Sequence, residues 1–193
     1  MDTTAYDQFL REKMALAKET GIEVQDAEIH PLLKPHQREA VKWAVRGGRR
    51  ALFEAFGLGK TMQQLEICRL ILAHSGGGMG LIVCPLGVRQ EFTRDAAMLG
   101  TPIRFFRTTG EATEDGLYLT NYESVREGKL DPRGFAVVSL DEAAILRGFG
   151  GTKTFRTLMG LFEGTSTYRF VATATPDPNE YIELAAYADF LGI

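Results

Sequence analysis

A chain of 193 residues with 45% hydrophobic and 24% charged residues has the composition of an ordinary globular domain, and it can bury a substantial core. The net charge of −3 gives no overall signal for nucleic-acid binding, so any such surface has to be local. No apolar run approaches the ~18 residues of a membrane span, and no signal-peptide pattern is present. We therefore expect a cytoplasmic protein with no membrane partner.

Cysteine and histidine usage gives no sign of a disulfide framework or a structural metal site. Cys68 and Cys84 each lie in an apolar run, where they are expected to be small core residues. His30, His36 and His74 lack partners at zinc-ligand spacing. This usage suits a protein of the reducing cytosol.

Residues 1–31 are predicted to form an N-terminal helix and an irregular lead-in. Apolar residues recur at helical spacing in the first part, at Tyr6, Phe9, Leu10, Met14 and Ala17. Gly21 can end this helix. The helix either packs on the domain that follows or brings Tyr6 or Phe9 over a nucleotide base.

A second helix is predicted to begin near Pro35 and to end at Gly47-Gly48. Gln37 lies on the apolar stripe of this helix. A buried amide needs hydrogen-bond partners, and adenine offers a matching donor and acceptor edge. The alternative is that Gln37 bonds the backbone at the start of the helix.

Residues 54–61 read Glu-Ala-Phe-Gly-Leu-Gly-Lys-Thr and lie between a short apolar run and a helical pattern. A strand, a glycine-rich turn that ends in Gly-Lys-Thr, and a helix form the context of a phosphate-binding loop. Gly57 and Gly59 allow backbone N–H groups to turn towards an anion, and the positive end of the helix faces the phosphates. Lys60 is expected to contact the β- and γ-phosphates, and the Thr61 hydroxyl to bind Mg²⁺.

The loop departs from the general phosphate-loop pattern at one position, because Glu54 stands where that pattern has glycine. The remaining residues still favour nucleotide binding over an ordinary glycine turn. The nucleotide-binding residues predicted here are Phe56, Gly57, Leu58, Gly59, Lys60, Thr61 and Met62.

The rest of the chain alternates between strand and helix patterns. Strands are predicted at residues 51–53, 81–84, 103–106, 117–120, 135–140 and 168–173, and helices at 62–74, 88–99, 153–162 and 179–191. This order predicts an α/β fold with a doubly wound, mostly parallel sheet and helices on both faces. Ligands of such folds bind beyond the carboxyl ends of the strands.

Asp141 and Glu142 directly follow the apolar run at residues 135–140. Mg²⁺-dependent nucleotide hydrolysis needs one carboxylate to hold the metal and a second to orient the attacking water. A solvated acidic pair after a strand is the plainer alternative. With Lys60 upstream, we expect the catalytic role, at a site where two neighbouring strand ends meet.

Six segments in order resemble the first RecA-like lobe of superfamily-two helicases and translocases of the Swi/Snf type, from about residue 32 to the end. They are residues 33–37 (Q motif), 57–61 (motif I), 85–88 (Ia), 120–123 (Ib), 141–144 (II) and 173–176 (III). The tail at residues 178–192 is similar to helicases encoded by bacteriophages and prophages.

The resemblance implies an ATP-dependent motor on DNA, with ATP and Mg²⁺ as cofactors. It assigns adenine reading to Gln37, phosphate and metal binding to Lys60 and Thr61, and hydrolysis to Asp141 and Glu142. The candidate nucleic-acid contacts are Arg89, Thr120, Asn121 and Tyr122, with Arg107 a weaker candidate. Thr173 and Thr175 would couple the nucleotide to the nucleic acid. A solvated arginine, or a threonine or asparagine that caps a helix, is the alternative for the contacts.

Two features of the resemblance have consequences of their own. Ala144 stands where many relatives have His or Asp, which puts the route from the ATP site to motif III in doubt. Such motors also need a second RecA-like lobe, which this chain does not contain, so weak hydrolysis is expected of this lobe alone. Two other hypotheses remain at this stage, a small phosphate-loop kinase and a nucleic-acid-binding module that does not hydrolyse ATP.

Overall fold

The computed structural model describes residues 19–143, 153–162, 168–175 and 184–193. The predicted N-terminal helix up to residue 18 lies outside this range. So do Ala144, Pro176 and the tail at residues 178–183. Predictions that depend on them stay predictions.

Six strands form one parallel sheet in the order β1-β6-β5-β2-β4-β3. Their bounds are Arg49–Phe53 (β1), Met79–Cys84 (β2), Ile103–Phe105 (β3), Gly116–Asn121 (β4), Phe135–Asp141 (β5) and Tyr168–Thr173 (β6). Each predicted strand is present within two residues at either end. The predicted α/β class is confirmed.

Six α-helices are described alongside the sheet. Their bounds are Pro35–Gly47 (α1), Lys60–His74 (α2), Arg89–Met98 (α3), Tyr122–Arg126 (α4), Lys153–Phe162 (α5) and Ala185–Leu191 (α6). The first helix has proline in its first turn and ends at Gly47, and the next residue, Gly48, has φ of 73° in the left-handed region. None of the helices in the described ranges is long and apolar enough to cross a membrane.

The helices cover both faces of the sheet, as predicted. Along β2, Ile82 and Cys84 belong to one apolar core, whereas Leu81 and Val83 belong to a second. Successive side chains of a strand point to opposite faces, so the two cores lie on opposite sides of the sheet. The first core includes apolar residues of α1, α2 and α3, and the second includes residues of α4, α5 and α6.

One expectation about the site is wrong. The phosphate loop follows β1 and Asp141 ends β5, but these strands are not neighbours, because β6 lies between them. In the register, Phe53 pairs with Thr173, and Asp141 pairs with Ala172. Helix α2 spans the gap, since the crossover from β1 to β2 passes over β5 and β6. The order of strands in a sheet depends on how strands and helices pack against one another, so the sequence pattern of single strands does not predict it.

A partly buried ion pair, Glu66–Arg69, holds the lead-in segment against α2. The Glu66 side chain is fully buried, and its Oε1 accepts the backbone N–H of His30 at 2.7 Å. Arg69 donates to both oxygens of this carboxylate, at 2.7 and 2.8 Å, and also to the Glu28 carbonyl. The lead-in is therefore part of the folded lobe, and Ile29 and Leu33 lie in its first core.

Replacement of Glu66 by alanine is expected to lower the free energy of unfolding by about 2 kcal/mol, because Arg69 keeps only the Glu28 carbonyl and the His30 N–H loses its acceptor. Urea denaturation of the purified chain measures this change. Glu39→Ala is the matched control. Its carboxylate pairs with Lys42 but is 72% exposed, so a loss below about 1 kcal/mol is expected. Equal losses in the two variants would contradict the structural role of Glu66.

Candidate nucleotide site

The loop after β1 has the backbone conformation that an anion-binding loop requires. Gly57 and Gly59 both have φ of 81°, a region that side-chain-bearing residues rarely adopt. A Cβ on Gly59 would lie 2.1 Å from Nε2 of Gln37, whereas one on Gly57 would meet nothing within 4 Å. Glycine is therefore needed at 59 for conformation and for space, and at 57 for conformation.

Lys60 lies at the first position of α2 and folds back over the loop. Its Nζ donates to the carbonyls of Glu54 and Ala55 at 2.9 and 3.1 Å. The same ammonium lies 5.5 Å from the centroid of the Phe56 ring, which is 77% exposed. The lysine is thus held at the mouth of the loop, where a phosphate oxygen can replace a carbonyl as its acceptor.

Glu54 has a structural reason to stand at the position that is usually glycine. Its Oε2 accepts Nε2 of the buried Gln63 at 2.7 Å, and its backbone N–H donates to the Thr173 carbonyl at 3.2 Å. The carboxylate is the shorter of two acceptors for this buried amide, which also donates to the Leu58 carbonyl at 3.4 Å. Glu54 therefore connects the loop to α2 and to the end of β6.

Gln37 bonds the protein backbone on both sides of its amide. Its Oε1 accepts the Lys34 N–H at 2.8 Å, and its Nε2 donates to the Leu58 carbonyl at 2.9 Å. The backbone-bonding alternative from the sequence is confirmed. Adenine reading stays a prediction, and the link to Leu58 fixes the helix start relative to the phosphate loop.

The other predicted loop residues differ in exposure. Leu58 is exposed at the loop, whereas Met62 is partly buried and packs against the first core. Phe56 and Leu58 can therefore contact a ligand directly. Met62 supports the helix on which Lys60 and Thr61 stand.

Asp141 is a buried carboxylate at the end of β5, with 8% of its surface exposed. Its Oδ1 accepts Nε2 of Gln64 at 2.7 Å, and its backbone carbonyl accepts the Tyr122 hydroxyl at 2.7 Å. Burial raises the pKa of Asp141 to about 6, and the nearby negative charge of Glu142 adds to the rise. The Gln64 hydrogen bond and the Lys60 charge act in the opposite direction. A cation is therefore strongly favoured beside this group.

Glu142 is the one described non-glycine residue with positive φ, at 48°. Such a conformation costs on the order of 1 kcal/mol and is found where the surroundings enforce it, often at functional sites. The Thr173 hydroxyl donates to Oε1 of Glu142 at 3.4 Å, and the Thr175 N–H donates to the Thr173 hydroxyl oxygen at 3.2 Å. Of the two predicted coupling residues, Thr173 thus contacts the predicted catalytic carboxylate directly, and Thr175 contacts Thr173.

The donor set fits magnesium. The Thr61 hydroxyl and the Asp141 carboxylate offer oxygen ligands, which Mg²⁺ prefers. A protein-bound Mg²⁺ ion normally keeps several waters and also binds substrate phosphates. Within the described ranges no group of three or more His, Cys, Asp and Glu side chains is arranged to hold a metal. A site completed by nucleotide phosphates does not need such a group.

Three polar residues at the site were missed by the sequence analysis. They are Gln63, Gln64 and Glu91, whose Oε1 accepts the Thr61 hydroxyl at 3.4 Å. Gln63 and Gln64 are fully buried in α2, next to core residues such as Leu65 and Ile67. Two adjacent amides at the start of the helix that follows the phosphate loop were the signal that could have found Gln63 and Gln64.

The candidate nucleic-acid contacts do not share one exposed face. Arg89 is exposed, and its guanidinium stacks 4.0 Å from the centroid of Phe105. Thr120 is buried and donates to the Phe106 carbonyl at 3.0 Å. Asn121 accepts the Ser124 N–H at 2.9 Å, which confirms the helix-capping alternative for this residue.

Tyr122 is also buried, in the second core, and its hydroxyl donates to the Asp141 carbonyl. Arg107 is exposed. Arg89 lines a surface groove together with Leu86, Gly87, Gln90, Thr93, Arg94 and Ala97. Contact with nucleic acid stays a prediction for all these residues. Among the candidates, Arg89 and the groove beside it offer the most accessible surface to a nucleic acid.

No family model matches the sequence, and no curated protein is a significant match. Solved structures do match. The SWI2/SNF2 ATPase core of Sulfolobus solfataricus in complex with dsDNA is 21% identical, with a TM-score of 0.72 over 88% of this chain and 37% of that chain. The SWI2/SNF2 ATPase core domain of the same organism is 22% identical, with a TM-score of 0.66 over 87% of this chain and 36% of that one.

The UvsW helicase of bacteriophage T4 also matches, at 16% identity and a TM-score of 0.61, over 97% of this chain and 65% of the helicase. This chain spans little more than a third of the length of the SWI2/SNF2 chains. The likeness establishes the fold. The chain has the RecA-like α/β architecture found in these SWI2/SNF2 and UvsW structures.

The raised pKa of Asp141 predicts how stability depends on pH. The folded-state pKa of about 6 exceeds the ordinary value of 3.8, so the folded protein holds this proton more tightly and loses stability as pH rises from about 4 through 6. Asp141→Asn removes the burial cost of the charge. In metal-free buffer it is expected to stabilise the chain by about 3 kcal/mol at pH 8 and by much less near pH 4.

Denaturant unfolding in EDTA at several pH values measures this effect. Asp131→Asn is the control with the opposite sign, because Arg133 lowers the pKa of Asp131 to about 2. That substitution should give no stabilisation at any pH. A stabilisation by Asp141→Asn that is the same at pH 4.5 and pH 8 would contradict the buried charge.

Proposed function

We propose that this chain is the ATP-binding lobe of an ATP-dependent DNA helicase or translocase, in which Mg-ATP hydrolysis drives movement on nucleic acid. The observation that carries the proposal is the arrangement of side chains at one edge of the sheet. Lys60 and Thr61 begin α2, and Gln64 of the same helix donates to the Asp141 carboxylate at 2.7 Å. Thr173 contacts Glu142. Together these groups supply a phosphate ligand, metal ligands and a catalytic carboxylate.

The phosphate chain of ATP would bind at the N-terminus of α2. Backbone N–H groups of the glycine-rich loop and the helix dipole favour the negative charge there, and Lys60 adds a full positive charge. Thr61 and Asp141 would hold the magnesium ion, whose role when bound is to neutralise charge on the β- and γ-phosphates. The exposed loop side chains Phe56 and Leu58 would contact the nucleotide from outside.

Hydrolysis would depend on Glu142. Its carboxylate can accept a hydrogen bond from the attacking water and orient it towards the γ-phosphate. Thr173 holds one of its oxygens, and the backbone conformation at φ 48° fixes the direction in which the side chain leaves the strand. A change at Thr173 would therefore move the catalytic carboxylate, which is a physical route for coupling to the nucleic acid.

The motor would be completed by a second RecA-like lobe of the full-length protein. An arginine supplied by that lobe is worth about 10³–10⁵ in rate, so this lobe alone should bind ATP but hydrolyse it slowly. DNA is the proposed track, with duplex favoured because the SWI2/SNF2 core matched above was solved with dsDNA. A bacterial or phage-infected cell is the proposed setting, and the likeness to the UvsW helicase of bacteriophage T4 supports a bacteriophage origin.

The first test is nucleotide binding by the 193-residue chain. A fluorescent ATP analogue should bind in the presence of Mg²⁺, and Lys60→Ala should weaken binding by about 100-fold because it removes a charge-assisted phosphate contact. Glu142→Gln, which keeps the shape of the side chain, should leave affinity within about threefold. Turnover by the wild-type chain at several ATP per second would contradict the need for a second lobe.

The second test concerns the groove beside Arg89. In the full-length protein, Arg89→Ala should weaken DNA binding uniformly across sequences and reduce the slope of log affinity against log salt by about 1, because one phosphate contact is lost. Asn121→Ala is the comparison, since this residue caps α4 and should mainly cost about 1 kcal/mol of stability. A DNA affinity and salt slope unchanged by Arg89→Ala would remove this residue from the track.

A further inference from the structure

A short chain of buried hydrogen bonds, which we call the relay, runs from Ser139 through Gln64 to the Asp141 carboxylate, the proposed metal ligand. The Ser139 hydroxyl donates to Oε1 of Gln64 at 2.7 Å, and Nε2 of Gln64 donates to Oδ1 of Asp141 at 2.7 Å. Gln64 and Ser139 have no exposed surface. None of the motifs in the sequence analysis includes either residue.

The direction of the relay follows from the chemistry of its ends. An ionised carboxylate can only accept hydrogen bonds, so the NH₂ group of Gln64 has to face Asp141. The amide oxygen then faces Ser139, whose hydroxyl has to donate. Ser139 therefore fixes which end of the Gln64 amide meets the carboxylate, and the amide fixes one oxygen of Asp141.

The position of Gln64 in the fold gives this contact its importance. It follows Lys60 by four residues on α2, so the two side chains leave the same side of the helix one turn apart. Strand β6 separates β1, which carries the loop, from β5, which carries Asp141. Gln64 is a direct side-chain link between the helix of the phosphate-binding lysine and the strand of the metal-binding carboxylate.

We propose that Gln64 is a positioning residue that presents Asp141 to magnesium, an inference that rests on the proposed function. Its amide occupies Oδ1 and limits rotation of the carboxylate, which would hold the group in one orientation towards a bound magnesium ion. The amide also donates a hydrogen bond to the buried Asp141 carboxylate and leaves its negative charge in place for a cation. Gln64 thus acts on the gain in nucleotide affinity that magnesium provides, and not on phosphate binding itself.

The experiment measures affinity of the 193-residue chain for a fluorescent ATP analogue, once with Mg²⁺ and once in EDTA. In Gln64→Met, which preserves the volume, the ratio of the two affinities should fall about 10-fold, as for the loss of one charge-assisted hydrogen bond. Affinity in EDTA should stay within about twofold. Ser139→Ala should lower the ratio by about threefold, since Gln64 keeps its bond to Asp141 but loses its orienting partner.

Gln63→Met is the matched control, because Gln63 is the neighbouring buried amide and bonds Glu54 and Leu58 of the loop. It should weaken binding in EDTA and leave the magnesium ratio unchanged. This opposite pattern separates a role at the metal from a general loss of packing in α2.

An unchanged magnesium ratio in Gln64→Met would overturn the inference, as would equal losses of affinity with and without Mg²⁺. If Gln64→Met does not fold, Ser139→Ala decides, and an unchanged ratio in that variant overturns it. Failure of the wild-type chain to bind nucleotide in either buffer would instead overturn the proposed function, and this inference with it.

Discussion

The burial of one carboxylate, Asp141, is the constraint on which the candidate site depends. A charge in that position is costly unless a cation and hydrogen-bond donors surround it, and the raised pKa of Asp141 reflects this cost. Gln64 supplies a donor, and the Lys60 charge lowers the cost further. The Asp141 charge thus destabilises the lobe without ligands, and a bound divalent cation with a triphosphate would stabilise it.

The strand order explains how the parts of the site communicate. Because β6 lies between β1 and β5, its end at Thr173 lies between the phosphate loop and the acidic pair. Thr173 accepts the Glu54 N–H at its carbonyl and donates its hydroxyl to Glu142. A displacement of Thr173 would therefore shift both the phosphate loop and the Glu142 carboxylate. These contacts of Thr173 with Glu54 and Glu142 support the proposed coupling role of the motif III segment.

The fold and the main residues of the candidate site could be predicted from the sequence, but the hydrogen-bond partners of these residues could not. Strands such as β2 and β5 are continuous apolar runs, and glycine and proline mark the ends of α1, so these elements could be predicted. The roles of Gln64 and Glu54 depend on which strands become neighbours, which local patterns do not contain. Thr120 and Tyr122 show the converse. A motif identified their segment, but only the packing shows that their side chains are buried.

The central claim is that the Lys60 amine and the Asp141 carboxylate serve one Mg-ATP site. A crystal structure of the chain with magnesium and a non-hydrolysable ATP analogue tests it most directly. We expect the Lys60 ammonium within about 3 Å of the β- and γ-phosphate oxygens, and one metal ion between those phosphates, the Thr61 hydroxyl and Asp141. A nucleotide bound elsewhere, or phosphates held by Lys60 with the metal remote from Asp141, would contradict it.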